Sequence, residues 1–225
     1  MMNSVPIALL SGLSLVVFTA LRAGDDRRPP TASKSRAGQA TFASVCGNCH
    51  GANGEGRTDL KTPSIAALPY WYVETQLGKF RQSVRGGRPD DTGGRLMHAV
   101  AQTLSEAQAK AVAGFVSELT RRPTRNTLRG DVERGEFLFR DVCMACHRYN
   151  ASGEKVFGSP PLTGLQDWYI ASQLRKFRKG IRGGHKEDAR GAKMHLMVNE
   201  LTDRDLDGLA TYVSVLAEKY PAGKK

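Results

Sequence analysis

Cys46, Cys49 and His50 return as Cys143, Cys146 and His147, and the offset of 97 residues holds without a gap far beyond them. The same register maps Gly38 onto Gly135, Phe42 onto Phe139, Pro63 onto Pro160 and Trp71-Tyr72 onto Trp168-Tyr169. It continues through Gln76 and Gln173, Lys79-Phe80-Arg81 and Lys176-Phe177-Arg178, Arg85 and Arg182, and Met97-His98 and Met194-His195. A chain of 225 residues with this self-similarity is two copies of one small unit, not one large fold. Units of under about 100 residues bury too little apolar surface to be robust alone. Aromatic residues are only 7% of the chain, so each core is expected to be completed by a large apolar group that the chain does not encode.

Each unit reads as helical and nothing reads as a sheet. Residues near 34–46 and 131–143 lead into the cysteines with apolar positions at helical spacing, and Tyr70–Val84 and Trp168–Ile181 form a longer amphipathic segment. Ser105–Thr120 and Thr202–Lys219 open on a hydroxyl followed by acids, the signature of a capped helix start. Gly-rich loops at Arg85–Arg95 and Arg182–Lys193 are expected just before each repeated methionine. The expected architecture is all-α, with one domain over 36–121, a basic linker over 122–129, a second domain over 130–220 and a basic tail at 221–225. Ahead of these, Val5–Leu21 carries no charge, and the polar stretch 24–35 reads as a tether. Residues 1–23 are read as a signal peptide or an uncleaved membrane anchor, placing the domains in the periplasm, soluble or held at the inner membrane.

Cys-x-x-Cys-His, present as CGNCH at 46–50 and CMACH at 143–147, is the attachment pattern of c-type haem. Two thiols three residues apart on a helical turn reach the two vinyl groups of one porphyrin, and the next side chain is carried beneath the iron. Cys46, Cys49, Cys143 and Cys146 are therefore expected as thioethers, and His50 and His147 as axial ligands. A redox-active pair would need a βαβ setting, and a zinc site closer pairs of ligands. The register also singles out Met97 and Met194, each 51 residues after the first cysteine of its unit, as the sixth ligands. Met197 aligns with Val100, which cannot ligate; His98 and His195 are the rival ligands; core filling is the plain alternative. Met ligation raises the potential relative to two imidazoles.

The run G-x-x-x-F-x-x-x-C-x-x-C-H, then P-x-[IL], W-Y-x-x-x-Q-L-x-K-F-R and M-H before L-[ST], resembles the class I c-type cytochromes in tandem two-haem form over about residues 36–220. The resemblance implies that Pro63 and Pro160 accept a hydrogen bond from the axial histidines, and that Tyr72, Tyr169, Gln76 and Gln173 lie near the haem propionates and the domain interface. Arg81, Arg85, Arg178 and Arg182 are repeated cations suited to neutralising those propionates, or to an ordinary solvated helix face.

The expected function is outer-sphere electron transfer by a dihaem carrier between respiratory-chain partners, because iron closed on both faces leaves no site for substrate. The competing readings are a haem enzyme such as a peroxidase, with one open iron, and an electron-entry subunit of a membrane oxidase or reductase complex. The net charge of +11 calls for anionic partners, expected as acidic patches on a donor or on a terminal oxidase or reductase. No recognition motif points to nucleic acid. Arg175, Lys176, Arg178, Lys179 and Arg182 crowd one segment without an acid, and their surplus is expected to face solvent and steer such a partner.

Overall fold

The computed structural model describes Met1 and residues 32–221, with side chains from Arg36 onward. Apart from Met1, the export or anchor segment 1–23 lies outside the described residues, as do most of the tether and the tail. Among the described residues no helix is long and apolar enough to cross a membrane.

The first domain runs through α1 (Ala32–Thr41), a π-helical turn (Phe42–Cys46), the short α2 (Gly47–His50), α3 (Tyr70–Arg81), α4 (Thr92–Gln102) and α5 (Glu106–Glu118). The second repeats the order with α6 (Val132–Leu138), a π-helical turn (Phe139–Cys143), α7 (Met144–His147), α8 (Asp167–Arg178), α9 (Ala189–Val198) and α10 (Asp203–Lys219). Extended pairing among the described residues is limited to the isolated bridges Arg57–Thr62 and Glu154–Ser159. The expected caps form as capping boxes: Ser105 with Gln108, and Thr202 with Asp205, each satisfy two orphan amides reciprocally.

In both units the first helix crosses the last one at close quarters, and the repeated glycine is what permits it. A Cβ on Gly38 would stand 2.3 Å from Ala111 O, and one on Gly135 would stand 2.1 Å from Gly208 O. The crossing brings Phe42 onto Phe115, with ring centroids 5.3 Å apart, and Phe139 onto Tyr212, at 5.6 Å. These pairs seat two separate cores. One gathers Leu77, Phe80, Leu104, Val112 and Val116, and the other Leu138, Phe177, Leu206, Leu209 and Val213. Leu165 packs against both.

The linker is strapped down at both ends. Arg121 donates to Ala66 O and Ala67 O of the first domain at 3.2 and 3.0 Å, and to Thr163 O of the second. Buried Asp167, at the start of α8, accepts from Leu128 N at 2.7 Å and from the Thr127 hydroxyl at 2.8 Å.

Candidate functional site

Each π-helical turn delivers the first cysteine of its motif to the start of a one-turn helix, and the helix carries the second cysteine and the histidine on the next residues. Cys46 and Cys143 pack against their domains' cores, whereas Cys49 and Cys146 are exposed. His50 and His147 are buried. Their Nδ1 atoms lie 2.8 Å from Pro63 O and 3.2 Å from Pro160 O. A carbonyl can only accept, so Nδ1 carries the proton and Nε2 keeps its lone pair for a metal. Burial pushes both imidazoles down, His147 to about 4, outweighing the upward pull of the proline carbonyls. Both rings are therefore neutral at pH 7, the form that ligates. Burial also pushes the Cys46 thiol up to about 11 and Cys143 to about 12, with the neighbouring motif cysteine adding to it. As free thiols both are therefore protonated at neutral pH, unlike the depressed thiols of a redox-active Cys-x-x-Cys pair.

The methionines correct one expectation. Met97 and Met194 do not follow loops running to Arg95 and Lys193; they sit in mid-helix on α4 and α9. Glycines in the first turn disguise those helix starts, because glycine weakens a helical pattern. The starts are made by Asp91 and Asp188, whose Oδ1 atoms accept from Gly94 N at 3.0 Å and Gly191 N at 2.9 Å. A Cβ on Gly94 would lie 1.9 Å from Asp91 Oδ2, and one on Gly191 would lie 2.3 Å from Asp188 Oδ2, so a side chain at either position would displace the capping carboxylate. Met97 and Met194 pack against the same cores as Cys46 and Cys143, while Met197 is 50% exposed. His98 and His195 lie 2.6 Å through Nδ1 from Phe80 O and Phe177 O, tying each methionine helix to the end of the middle helix.

The two domains meet through α3 and α8 in a reciprocal pattern. Arg85 donates to Gln76 Oε1 at 2.8 Å, to Gln173 Oε1 at 2.9 Å and to Tyr169 Oη at 3.2 Å. Arg182 mirrors it, donating to Gln173 Oε1 at 3.0 Å, to Tyr72 Oη at 3.0 Å and to Gln76 Oε1 at 3.3 Å. Each guanidinium also lies over the phenylalanine of its own middle helix, Arg85 on Phe80 and Arg182 on Phe177. Outside this cluster, Lys79 reaches Asp188 and Lys176 reaches Asp91, both at 2.6 Å. These two carboxylates are the ones that cap the methionine helices. Burial raises Asp188, but the Lys79 ammonium, the Gly191 amide and the Arg182 charge together hold its carboxyl below the usual range.

The four repeated arginines thus divide. Arg85 and Arg182 converge on the interface, whereas Arg178 is engaged by Leu201 O and Asp203, and Arg81 lies in the field of Glu106. The expected solvent-facing stripe of cations does not form. Arg175 is paired with Asp203 and Asp207, Lys176 with Asp91, and Arg182 with the glutamine and tyrosine cluster, leaving Lys179 exposed. The acids come from the start of α10 and from the opposite domain, out of reach of any reading local to residues 175–182.

The pockets fit haem c on two observations of polar accounting. Arg85 and Arg182 have only neutral hydrogen-bond acceptors among the described residues. Guanidiniums at a domain interface want anions, which propionates supply. Trp168 Nε1 is a buried donor without a partner among the described residues, a further place for an acceptor. Asp91, Asp188 and Gln166 belong to no motif read in the sequence, and Trp168 enters there only as part of the repeat. Asp91 and Asp188 stand at the repeat offset, a signal that was available, whereas Gln166 aligns with Pro69 and leaves no such trace.

A tandem, all-α pair of haem-attachment domains is what this geometry defines. The Cytochrome c family model matches residues 35–120 and 132–217, and the chain belongs to that family. It is 28% identical to cytochrome c4 of Stutzerimonas stutzeri, over 96% of this chain and all of that one. It is 31% identical to the thiosulfate dehydrogenase electron acceptor of Thiomonas intermedia, over 76% of this chain and 78% of that one. The crystal structure of reduced recombinant cytochrome c4 from Pseudomonas stutzeri superposes with a TM-score of 0.64 at 27% identity, covering 80% of this chain and 97% of that one. The protein is a dihaem c-type cytochrome with two covalently bound haem c groups, and it transfers electrons between redox partners.

Proposed function

We propose that both irons are closed by His/Met pairs, His50 with Met97 and His147 with Met194, and that the protein is a periplasmic carrier with no chemistry at iron. When bound, each haem supplies a one-electron iron couple. The observation that carries the reading is the coincidence, in both domains, of a buried imidazole held through Nδ1 by a proline carbonyl and a core-packed methionine on a capped helix. Cys46, Cys49, Cys143 and Cys146 hold the groups covalently. Pro63 and Pro160 fix the histidine rings and keep them basic. Arg85 and Arg182, held by Tyr72, Tyr169, Gln76 and Gln173, would neutralise the propionates of the bound groups; Arg81 and Arg178 chiefly hold the middle helices to the last helices.

A dehydrogenase of small inorganic sulfur species fits as donor, since the Thiomonas intermedia relative is named as the electron acceptor of such an enzyme. The acceptor is a terminal oxidase or reductase. The ferric spectrum tests the reading: low-spin iron with a sulfur-to-iron charge-transfer band, unchanged by peroxide, is expected, and a high-spin fraction that reacts with peroxide would establish an open, enzyme-like iron instead.

A further inference from the structure

Gln166 belongs to the second domain, just before α8, yet its side chain is buried against the first. Its Oε1 accepts from Ser64 N at 2.8 Å, and its Nε2 donates to Glu55 O at 3.0 Å. The amide orientation follows from those partners, since one can only donate and the other only accept. Ser64 N–H belongs to the same peptide group as Pro63 C=O. That carbonyl holds the Nδ1–H of His50 at 2.8 Å. A continuous relay therefore runs from His50, through one peptide, to a side chain of the other domain.

We propose that Gln166 is a positioning residue for His50, tuning the first haem from the second domain through this shared peptide. A peptide whose N–H is engaged is polarised, and its carbonyl becomes a stronger acceptor. A stronger acceptor at Nδ1 gives the imidazole more anionic character, makes Nε2 a better donor and favours ferric iron. The second domain lacks the device. The residue after Pro160 is Pro161, which has no N–H, and Pro69 stands in the first domain where Gln166 stands in the second. The histidine contact there is correspondingly longer, 3.2 Å against 2.8 Å. An otherwise symmetric pair thus acquires a one-way influence: docking of the second domain lowers the potential of the first haem, with no equivalent in return.

The proposal rests on His50 being the axial ligand, and the test separates the two. In the reduced, diamagnetic holoprotein, the Nδ1–H protons of both axial histidines are assigned by NMR, and the two potentials are resolved by spectroelectrochemistry. Gln166→Met keeps the bulk and removes both hydrogen bonds. It is expected to move the His50 Nδ1–H resonance upfield and to shift the electron's partition toward the first haem by roughly threefold, or about 30 mV at 59 mV per decade, leaving the second haem in place. Ser64→Pro removes the relay N–H together with the Ser64 hydroxyl's bond to Gly54 O, at a position where the second repeat already carries proline, and is expected to reproduce the shift, whereas Ser64→Ala, which loses the hydroxyl bond alone, should leave the first potential and the His50 proton unmoved; adding Gln166→Met to Ser64→Pro should change nothing further. If Gln166→Met separates the domains, Ser64→Pro decides. The proposal is overturned if Ser64→Pro leaves the first potential and the His50 proton unmoved, or if both haems shift equally. Should no His50 ring proton show the shielding of a haem ligand, the ligation itself fails, a result distinct from either.

Discussion

The crossed ion pairs predict that damage to one domain appears in the other. Lys176, on α8, holds Asp91 at 2.6 Å, with side-chain exposures of 23% and 3%. Lys176→Met leaves a carboxylate buried with its Gly94 amide bond but without its counter-charge. Removing one partner of a fully buried pair costs about 3–5 kcal/mol, and partial exposure of the lysine reduces this to about 2 kcal/mol. That is a roughly 30-fold easier opening of whatever Asp91 holds. Asp91 caps α4, so hydrogen exchange in the holoprotein should accelerate about 30-fold over Thr92–Gln102 of the first domain, and α9 of the second should be unchanged. Lys79→Met should do the converse, loosening Ala189–Val198 through Asp188. Loss of protection confined to the mutated domain, or spread equally over both, would refute the reasoning.

Four further outcomes follow from the same contacts. Met97→Ala and Met194→Ala should each make one haem bind carbon monoxide and lower its potential, while Met197→Ala, at a half-exposed position, leaves both spectra unchanged. Asp188 has a depressed folded pKa, so its contribution is complete above the unfolded value of about 3.9 and is lost as pH falls through the lower folded one; acid titration of stability below about pH 4 should be shallower in Lys79→Met. Cys46→Ala with Cys49→Ala should leave the first domain poorly ordered by near-UV circular dichroism, because its aromatic packing is modest without the porphyrin. Arg175→Ala should lower the second domain's stability only slightly through Asp203 and Asp207, read as a small drop in its unfolding midpoint, with no change in salt-dependent electron exchange with a partner.

What could be read in the sequence was what is local or repeated. The capped starts at Ser105 and Thr202 and the motif helices rest on spacing within one unit, and the contacts of Pro63 and Pro160 with the histidines are those the family resemblance implies. The starts of α4 and α9 are hidden because Gly93, Gly94 and Gly191 read as loop, although Gly94 and Gly191 leave room for the capping carboxylates of Asp91 and Asp188. The cations at 175–182 were misread because their acids lie on α10 and across the interface, contacts that no period along one helix encodes. Gln166 was invisible for a related reason. Its role exists only once the domains dock, and the repeat places a proline at the matching position.

Near-infrared magnetic circular dichroism of the ferric protein tests the central claim most directly, because the sulfur-to-iron transition is absent from bis-histidine and open iron alike. Two His/Met irons predict an intensity equivalent to two such haems per chain, one lost in Met97→Ala and the other in Met194→Ala. Intensity for a single haem in the unmodified protein, or a signal that survives both substitutions, would contradict it.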